Sequence, residues 1–333
     1  MTSTEVVLAV LWVGVTVYAV LGGADFGAGF WDLVAGDAAR GRRPRDLIDR
    51  AITPVWEANH TWLIFDLVVL WTAFSEAFAA VMTTLFIPLT LAALGIVLRG
   101  SGFAFRHVTE RLEVQRVFGA AFALSSVVTP FFMGTVVGAV ASGRVTPTTD
   151  GDQAWSSWTG PLPLLVGVLF VATCAYVSAV FLVHEARSDG DTALEDYFRR
   201  RAIAASAVAG LLAVAGLPVV HADARYVYDG LVGDALPLVL LSGLCGAGAL
   251  ALLVMRRDRF VRGVAVLAVA SIVWAWGVAQ YPYLLPKTLT VSQSASPSGT
   301  MTALLVIFVV AALVIAPSLG LLFWLAQRRA LSE

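Results

Sequence analysis

Two side chains that can carry protons stand one helical turn apart in the segment PVWEANHTWLI, residues 54–64. At about 100° per residue, Glu57 and His60 share one face of a helix. A carboxylic acid and an imidazole at this spacing can pass protons. A proline near the first turn and an acid beside the helix dipole are also typical of an ordinary helix start, in which Glu57 caps backbone amides. The sequence leaves both interpretations open.

A second carboxylate, Asp25, lies among small residues in the segment GGADFGAG, residues 22–29. Ionisable groups inside apolar helices are costly and usually face the interior of a bundle, so Asp25 is a candidate functional group. Gly23 and Gly27, one turn apart, permit the close approach of another helix backbone. The alternative is a packing motif in which Asp25 caps a helix or pairs with a loop arginine at the membrane edge.

A third carboxylate, Asp66, follows Glu57 by nine residues. It is therefore expected about 13 Å further along the same helix and on the opposite face, which it shares with Asn59 and Trp62. This position is near the middle of the bilayer, where a carboxylate must be protonated, paired or hydrated. A functional buried acid and a simple inter-helix hydrogen bond both remain open.

The cysteines and histidines do not form a metal-binding pattern. Cys174 and Cys245 are far apart and show no CxxC or CxxCH spacing, which argues against a disulfide framework, a zinc site and covalent haem attachment. A haem held between helices needs two imidazoles at matched depth on facing spans, and no such pair is predicted near the midplane. The four histidines are His60, His107, His184 and His221. We therefore expect no metal ligands on this chain, although a ligand pair on the cytoplasmic side stays open.

The composition of the 333 residues indicates a chain whose natural solvent is lipid. Hydrophobic residues make up 59%, charged residues only 14%, and the mean hydropathy is +0.82, which excludes a soluble protein. A net charge of −1 and a pI near 6.4 give no basic surface for a nucleic acid. The bilayer is thus the predicted environment.

Apolar runs of the length needed to cross the membrane, about twenty residues, recur along the whole chain. They predict an all-α polytopic membrane protein, a single integral membrane domain over residues 1–333 in which nine transmembrane helices form two four-helix bundles plus one extra helix. The predicted spans are approximately 6–27, 54–74, 77–98, 117–141, 161–184, 202–222, 235–254, 261–284 and 301–326.

The basic residues predict the orientation, because Lys and Arg are retained on the cytoplasmic side of short loops. With the N-terminus outside and the C-terminus in the cytoplasm, all but three of the 22 basic residues fall in inner loops or in the tail. The exceptions are Arg144, Arg225 and Lys287. The first span lacks the basic start of a cleaved signal, so we expect it to remain in the protein.

Four segments together resemble a known family. They are GGADFGAG in the first span, PVWEANHTWLI at the start of the second, GFAFR at residues 102–106 and QYPYLLP at residues 280–286. In these motifs the chain resembles subunit II of the bacterial cytochrome bd-type quinol oxidases, including the cyanide-insensitive branch. The resemblance spans residues 1 to about 330, and the nine-span topology fits it.

The resemblance implies a heterodimer in the bacterial cytoplasmic (inner) membrane that oxidises quinol and reduces O2 to water in aerobic respiration. Subunit I would carry haem b and haem d and the quinol site, while this chain would stabilise it and supply cytoplasmic protons without being catalytic alone. A structural quinone, a small accessory subunit and the identity of the quinone stay open, as does any cofactor-binding residue on this chain.

The resemblance also implies roles for particular residues. Asp25 and Glu57 match acidic positions on a proton route from the cytoplasm, with His60 as a relay or orienting group. Ala104 stands where the family often has an acidic residue, so a third carboxylate of that route is missing. Trp62 matches a tryptophan near an apolar oxygen path, although a packing tryptophan would look the same. Asp66 has no counterpart in the family pattern.

Two other classes of protein fit parts of the sequence. An ion-coupled secondary transporter would also combine hydrophobic spans, buried carboxylates and glycine-interrupted helices. It would need broken helices near the midplane, whereas the Gly-rich and Pro-containing segments here lie near span ends. A purely structural membrane scaffold would need Asp25 and Glu57 to be dispensable.

Interface aromatics in QYPYLLP indicate a membrane-belt anchor, with a quinone headgroup contact as the alternative.

Overall fold

The computed structural model describes residues 2–36, 41–52, 56–108, 112–147, 154–257 and 259–327, most of which are helical. The helices are α1 Ser3–Leu33, α2 Arg42–Ile52, α3 Trp56–Ala73, α4 Ser75–Thr84, α5 Phe86–Val108, α6 Leu112–Ala141, α7 Pro161–Ser188, α8 Thr192–Ala215, α9 Leu217–Asp223, α10 Arg225–Val232, α11 Leu236–Val254, α12 Val261–Gln280, α13 Val291–Ser294 and α14 Ser298–Gln327. Strands β1 Tyr283–Leu285 and β2 Leu289–Thr290 form one antiparallel hairpin. The protein is all-α apart from this hairpin within the described ranges.

Seven helical segments are long and apolar enough to cross a membrane, by length and composition. They are Ser3–Leu33, Phe86–Phe105, Val117–Ala141, Pro161–Ser188, Thr192–Asp223, Leu236–Val254 and Val261–Gln280. The pair α3 and α4 passes the same test only as one broken span, and the described apolar part of α14, Ser298–Val314, is shorter. The membrane character is therefore confirmed, while the count of nine spans stays a prediction.

The predicted third span, 77–98, is wrong in its boundaries. The chain bends by 118° between the helical segments Asn59–Ala73 and Ser75–Thr84, and α5 begins only at Phe86. Pro88 lies in the first turn of α5, where a proline is well tolerated because its missing N–H would have no intrahelical partner. With this late start, α5 extends well past residue 98 and includes the segment GFAFR.

The bend after α3 is held by a distant segment of the chain. The hydroxyl of Ser296 donates to the Thr72 carbonyl at 2.8 Å, and the Ser296 amide donates to the Ala73 carbonyl at 2.9 Å. The amide of Ala77, in α4, donates to the hydroxyl of Ser294 at 3.3 Å. These bonds satisfy polar groups that a helix terminus leaves without intrahelical partners.

The predicted eighth span, approximately 261–284, is observed as a helix that begins at the predicted residue and ends four residues earlier. Helix α12 ends at Gln280, and residues 283–290 form the β-hairpin. The Tyr281–Pro282 peptide bond is cis. The side chain of Gln280 accepts a hydrogen bond from Trp276 Nε1 at 2.8 Å and donates to the Leu284 carbonyl at 2.7 Å. The segment QYPYLLP therefore begins at the last residue of α12 and leads into the hairpin, and it does not continue the helix.

Two groups of helix ends pack at opposite ends of the molecule. One hydrophobic cluster joins the C-terminal parts of α1, α5, α7 and α11 to the N-terminal parts of α6, α8 and α12, with Trp31, Phe103, Phe122, Phe198 and Leu253 among its members. Another joins the start of α1, the end of α3 and the hairpin. Long helices that follow one another therefore run in opposite directions.

We call the first of these ends the basic end and the second the hairpin end. Arginines with ion pairs at the basic end are Arg43, Arg45, Arg50, Arg99, Arg199 and Arg256. Arg144 pairs with Asp223 near the start of α7, and Lys287 lies in the hairpin. The residues that the sequence divides into inner and outer groups thus also separate in space. Which end faces the cytoplasm stays a prediction.

The short helix α2 closes the basic end. Its Leu47 and Ile48 are buried in the hydrophobic cluster there. Arg43 donates to Asp191 at 2.6 Å, and Arg50 donates to Asp189 at 2.8 Å. Asp191 also caps α8, where the amide of Leu194 donates to its carboxylate at 3.0 Å. This amide bond and the neighbouring Arg43 hold the pKa of Asp191 below its ordinary value.

Helix α1 is the central element, in contact with α3, α6, α7, α12 and α14. It approaches α7 most closely at Gly27, where a Cβ atom would overlap the carbonyl of Cys174. One turn earlier, a Cβ on Gly23 would lie 3.6 Å from the Cys174 sulfur. The predicted close approach of another backbone to this glycine pair is therefore confirmed.

Candidate functional site

Asp25 forms a buried ion pair with Arg99 of α5. Arg99 Nη2 lies 2.5 Å from Asp25 Oδ1 and 2.9 Å from the main-chain carbonyl of Asp25. The side chain of Arg99 is 2% exposed and that of Asp25 is 1% exposed. Asp25 therefore pairs with an arginine, but that arginine is inside the helix bundle and not in a loop at the membrane edge. The functional role of Asp25 stays a prediction.

Ser126 and two aromatic rings complete the surroundings of Arg99. Its Nη1 donates to the hydroxyl of Ser126, which in turn donates to the Phe122 carbonyl at 2.6 Å. The guanidinium carbon lies 5.2 Å from the ring centre of Phe26 and 4.6 Å from that of Phe122. Such cation–π contacts stabilise a desolvated cation.

Gly29 leaves the space that this cluster needs. A Cβ atom at Gly29 would overlap the side chain of Ser126 and lie 2.9 Å from Arg99 Nη1. The glycines of GGADFGAG therefore act on two sides of α1: Gly27 admits α7, and Gly29 admits the polar contact between α5 and α6. The motif combines close packing with the placement of a buried charge pair.

One oxygen of Asp25 is not used by this cluster. Asp25 Oδ2 is buried and has no hydrogen-bond partner among the described residues. An ionised carboxylate accepts several hydrogen bonds, and a buried acceptor without one is costly. Asp25 is therefore fixed through one oxygen, while the other can accept a proton or the hydrogen bond of a proton donor.

The position of Glu57 relative to Asp25 follows from the packing of α3 on α1. Asn59 Nδ2 donates to the Leu21 carbonyl at 3.3 Å, and a Cβ at Gly14 would overlap Asp66 Oδ1. Both contacts fit one antiparallel register, in which each step along α3 is a step back along α1. Residue 57 is then level with Gly23, about 3 Å along the helix axis from Asp25. The side chain of Glu57 lies outside the described residues.

His60 lies beside the same part of α1. Its ring packs against Phe26 with 5.9 Å between the ring centres. Phe26 follows Asp25 directly and also contacts Arg99, so His60 is next to the edge of the charge cluster. The structure thus brings His60 near Asp25 through a shared aromatic neighbour.

Trp62 occupies an apolar environment. It packs around the buried cluster of Tyr18, Phe26 and Cys174, and its ring meets that of Phe65 edge-on with 5.9 Å between centres. These contacts are those of a packing tryptophan. A role beside an oxygen path stays a prediction.

Asp66 lies against α1, on the same face of α3 as Asn59. The predicted sharing of this face is confirmed, because both side chains contact α1. Asp66 is 9% exposed, and its Oδ1 has no hydrogen-bond partner in the described part of the chain. The simple inter-helix hydrogen bond is therefore not observed for this oxygen.

The described histidines are not placed so that two of them could ligate one haem iron. His221 lies toward the hairpin end beside Arg225 and Tyr228, and His184 is exposed near the end of α7. Of the three histidines with described side chains, His60 alone packs against the interior ring of Phe26. Over the residues that the structure describes, no three His, Cys, Asp or Glu side chains form a group suited to a metal ion. The side chain of His107 lies outside that part.

Sequence reasoning missed Arg99 and Ser126. Arg99 follows the apolar run LTLAALGIVL, and a third span at 77–98 predicts it in an inner loop. The continuation of α5 to Val108 puts Arg99 within the helix. An arginine between an apolar run and the small residues Gly100 and Ser101 was the available signal.

Residues 3–326 match the family model described as cytochrome bd terminal oxidase subunit II. The chain belongs to this family. The resemblance seen in the four sequence motifs is thereby confirmed across nearly the whole chain. A member of this family is a subunit of a terminal oxidase, so the chain is part of an oxidoreductase complex and not an ion-coupled transporter.

Individual relatives agree with the family. The chain is 22% identical over 344 residues to the putative cytochrome bd menaquinol oxidase subunit II of Bacillus subtilis strain 168, covering 97% of this chain and 95% of the relative. It is 24% identical to the cytochrome bd ubiquinol oxidase subunit 2 of the same organism, with coverages of 85% and 81%. For cytochrome bd-I ubiquinol oxidase subunit 2 of Escherichia coli strain K12 the identity is 26%, with coverages of 68% and 61%.

A solved structure shares the fold. A chain of the bd oxidase from Geobacillus thermodenitrificans superposes with a TM-score of 0.78 at 27% identity, covering 98% of both chains. The arrangement of helices in that chain of a bd oxidase is thus shared over nearly the whole length of this protein. The Asp25–Arg99 cluster lies inside that shared fold.

Proposed function

We propose that this chain stabilises the haem-bearing subunit I of a cytochrome bd quinol oxidase and supplies it with protons from the cytoplasm. The partner uses electrons from quinol to reduce O2 to water, a reaction that consumes protons. The observation that carries the proposal is the buried Asp25–Arg99 pair, in which Asp25 Oδ2 has no hydrogen-bond partner among the described residues. Family membership supplies the reaction.

Protons enter this route at the basic end. The backbone at Glu57 is level with Gly23, and the ring of His60 packs on Phe26, so positions 57 and 60 of α3 lie beside the part of α1 that contains Asp25. An acid or imidazole in this layer can take a proton from the loops beyond it and pass it inward. Asp25 receives the proton on Oδ2 and passes it toward the partner subunit.

Arg99 is a positioning residue in this account. It holds Asp25 through Oδ1 and through the main-chain carbonyl, so that the carboxyl group cannot rotate freely. Its positive charge lies in a dry, aromatic environment, where electrostatic interactions are stronger than in water. The pair therefore fixes both the direction of the free oxygen and the charge around it.

The route uses fewer carboxylates of this chain than the family pattern. Ala104 is exposed near the end of α5, at the position where the family often has an acidic residue. Protons then reach Glu57 without a third carboxylate from this part of α5. The shorter route remains consistent with the layer formed by Glu57, His60 and Asp25.

The architecture that we propose has nine spans with the N-terminus outside. The spans are α1, α3, α5, α6, α7, α8 with α9, α11, α12 and α14, with the basic end in the cytoplasm of a bacterial inner membrane. Helices α7, α8, α11 and α12 contact one another in a ring, and α1 contacts α3 and α6, which supports two four-helix groups with α14 as the additional helix. The positive-inside rule supports the orientation.

The haems are proposed on the partner, because the described histidines of this chain do not fit haem ligation. Haem b and haem d would lie on subunit I, together with the quinol site. The names of the relatives include both menaquinol and ubiquinol oxidases, so they do not select a quinone. A structural quinone and an accessory subunit are compatible with this arrangement.

The test is to purify this chain with and without subunit I from the same membrane. Visible spectra should show haem only in the preparation that contains both subunits, and only that preparation should consume oxygen with added quinol. Haem bound to this chain alone, at one per chain, would contradict the proposal.

A further inference from the structure

Asp66 is a buried acid that the route through Asp25 does not use. It lies on α3 against Gly14 of α1, toward the hairpin end from Asp25. In the register of α3 on α1 the two carboxylates differ in level by about 16 Å. Burial of a polar group without a hydrogen bond costs free energy, so an apolar residue would stabilise a purely structural contact better.

A row of buried and half-buried side chains, most of them polar, runs between the two carboxylates. On α6, Ser126, Thr129 and Met133 follow one another at one-turn intervals and face α1 and α5. The Thr129 side chain is fully buried, packs against Gly95 of α5, and its hydroxyl has no partner among the described groups. Ser126 contacts Arg99 at one end of the row.

Tyr18 connects the row to Asp66. Its hydroxyl donates to the sulfur of Met133 at 3.8 Å, a weak acceptor, and Gly14 lies one turn before Tyr18 on α1. Tyr18 is 5% exposed and lies on α1 between Gly14, which contacts Asp66, and Asp25. It is therefore placed between the two acids.

In the part of the chain that the structure describes, few titratable groups surround this row. Tyr18 and Cys174 line it from α1 and α7, and Arg99 faces it from α5. The segments of α6 and α14 that pack nearby contribute Ser126, Thr129, Met133 and Phe308, which do not titrate. In the described residues, no cation pairs with Asp66, so a proton is the charge that balances this carboxylate most simply.

We propose that Asp66 is a second proton-binding site of this chain, loaded from Asp25 along Ser126, Thr129 and Tyr18. The site binds one proton on its carboxylate to give the neutral acid and releases it during turnover. Neighbouring members of the row on one helix are about one helical turn apart, roughly 5 Å, a gap that one water molecule between polar groups can bridge. The direction of loading rests on the proposed function of Asp25, whereas proton binding by Asp66 does not.

Infrared difference spectra of the whole oxidase complex, reduced minus oxidised, test this proposal. Protonation of a carboxylate produces a C=O band that shifts when the complex is exchanged into D2O. We expect such a band in the wild type and its loss in Asp66→Asn. Asp32→Asn is the matched control, because Asp32 is a buried acid held by Arg45 at 2.8 Å and should leave the band in place.

Gly14→Ala provides a second variant that keeps the acid. The added methyl group would overlap Asp66 Oδ1, so the band should shift in frequency without disappearing. If Asp66→Asn does not assemble, this shift still assigns the band. A wild-type complex without the band, or a band that neither variant alters, would overturn the proposal.

The Asp25→Asn complex separates this proposal from the proposed function. If Asp25 supplies Asp66, the band forms more slowly after rapid reduction but reaches its full size. If Asp25→Asn consumes oxygen at the wild-type rate and the Asp66 band forms at the normal rate, the route through Asp25 fails while Asp66 remains a proton-binding site. Loss of the band only in Asp25→Asn would contradict the assignment to Asp66.

Discussion

Arg99 holds Asp25 at two points, its side-chain oxygen at 2.5 Å and its main-chain carbonyl at 2.9 Å. The second bond ties the guanidinium to the backbone of α1 as well as to the carboxylate. Helix α5 is thereby fixed against α1 at a depth where both side chains are out of contact with water. This relationship gives the cluster both a structural and an electrostatic role, which can be separated by mutation.

Removing only the cation should damage the protein more than removing the pair. In Arg99→Met the Asp25 carboxylate stays buried without its counter-charge, and loss of one partner of a buried pair costs about 3–5 kcal/mol. The double variant Arg99→Met with Asp25→Leu should assemble better than Arg99→Met alone, because no buried charge remains. Thermal dissociation of the purified complex measures both. A double variant less stable than Arg99→Met would show that the pair is not the source of the effect.

Gly29→Ala should disturb the cluster through sterics alone. The new methyl group overlaps Ser126 and approaches Arg99, and overpacking of this kind costs about 1–3 kcal/mol. Adding Ser126→Gly should restore part of the stability by making room. Gly119→Ala on α6 is the control, because a Cβ there meets no atom within 4 Å. Equal melting temperatures for Gly29→Ala and Gly119→Ala would contradict this packing argument.

The orientation can be tested with cysteines at opposite ends. In a chain with Cys174→Ala and Cys245→Ala, Arg257→Cys should resist an impermeant thiol reagent applied to intact cells, and Lys287→Cys should react. Both positions are exposed, so accessibility of the side chain is matched. Opened membranes should allow both to react. Ready labelling at position 257 in intact cells would reverse the proposed topology.

Histidine replacement tests the placement of the haems. His60→Gln, His184→Gln and His221→Gln should each leave the haem-to-protein ratio of the assembled complex unchanged, since the described histidines do not form a ligand pair. His107→Gln extends the test to the side chain that lies outside the described residues. Loss of one spectrally distinct haem from an otherwise assembled complex would place a haem ligand on this chain.

Local packing features were accessible from the sequence. The glycine pair Gly23 and Gly27 predicted a close helix contact, because only small residues let backbones approach. Asn59 and Asp66 were placed on one face of α3 by helical periodicity alone, and both contact α1. These predictions depend on short-range geometry, which the sequence encodes directly.

Features that depend on distant contacts were not accessible. The bend after α3 is held by Ser294 and Ser296, more than two hundred residues away, and no proline or glycine marks it. The burial of Arg99 is not predicted for the same reason. The start of α5, and therefore the depth of Arg99 in the bundle, depends on where that bend ends. Hydropathy cannot distinguish an arginine that ends a span from one that turns inward to meet Asp25.

The most direct measurement of the central claim is oxygen consumption per haem in assembled complexes with Glu57→Gln, Asp25→Asn or both. Each single change should slow turnover at least about tenfold, equivalent to about 1.4 kcal/mol in the barrier, while haem content stays near the wild-type value. The double variant should lose less than the sum of the single effects, because both acids serve one route. Asp32→Asn is the control for a buried acid outside the route. Wild-type turnover in fully assembled Glu57→Gln and Asp25→Asn would contradict the proposal that this chain supplies protons.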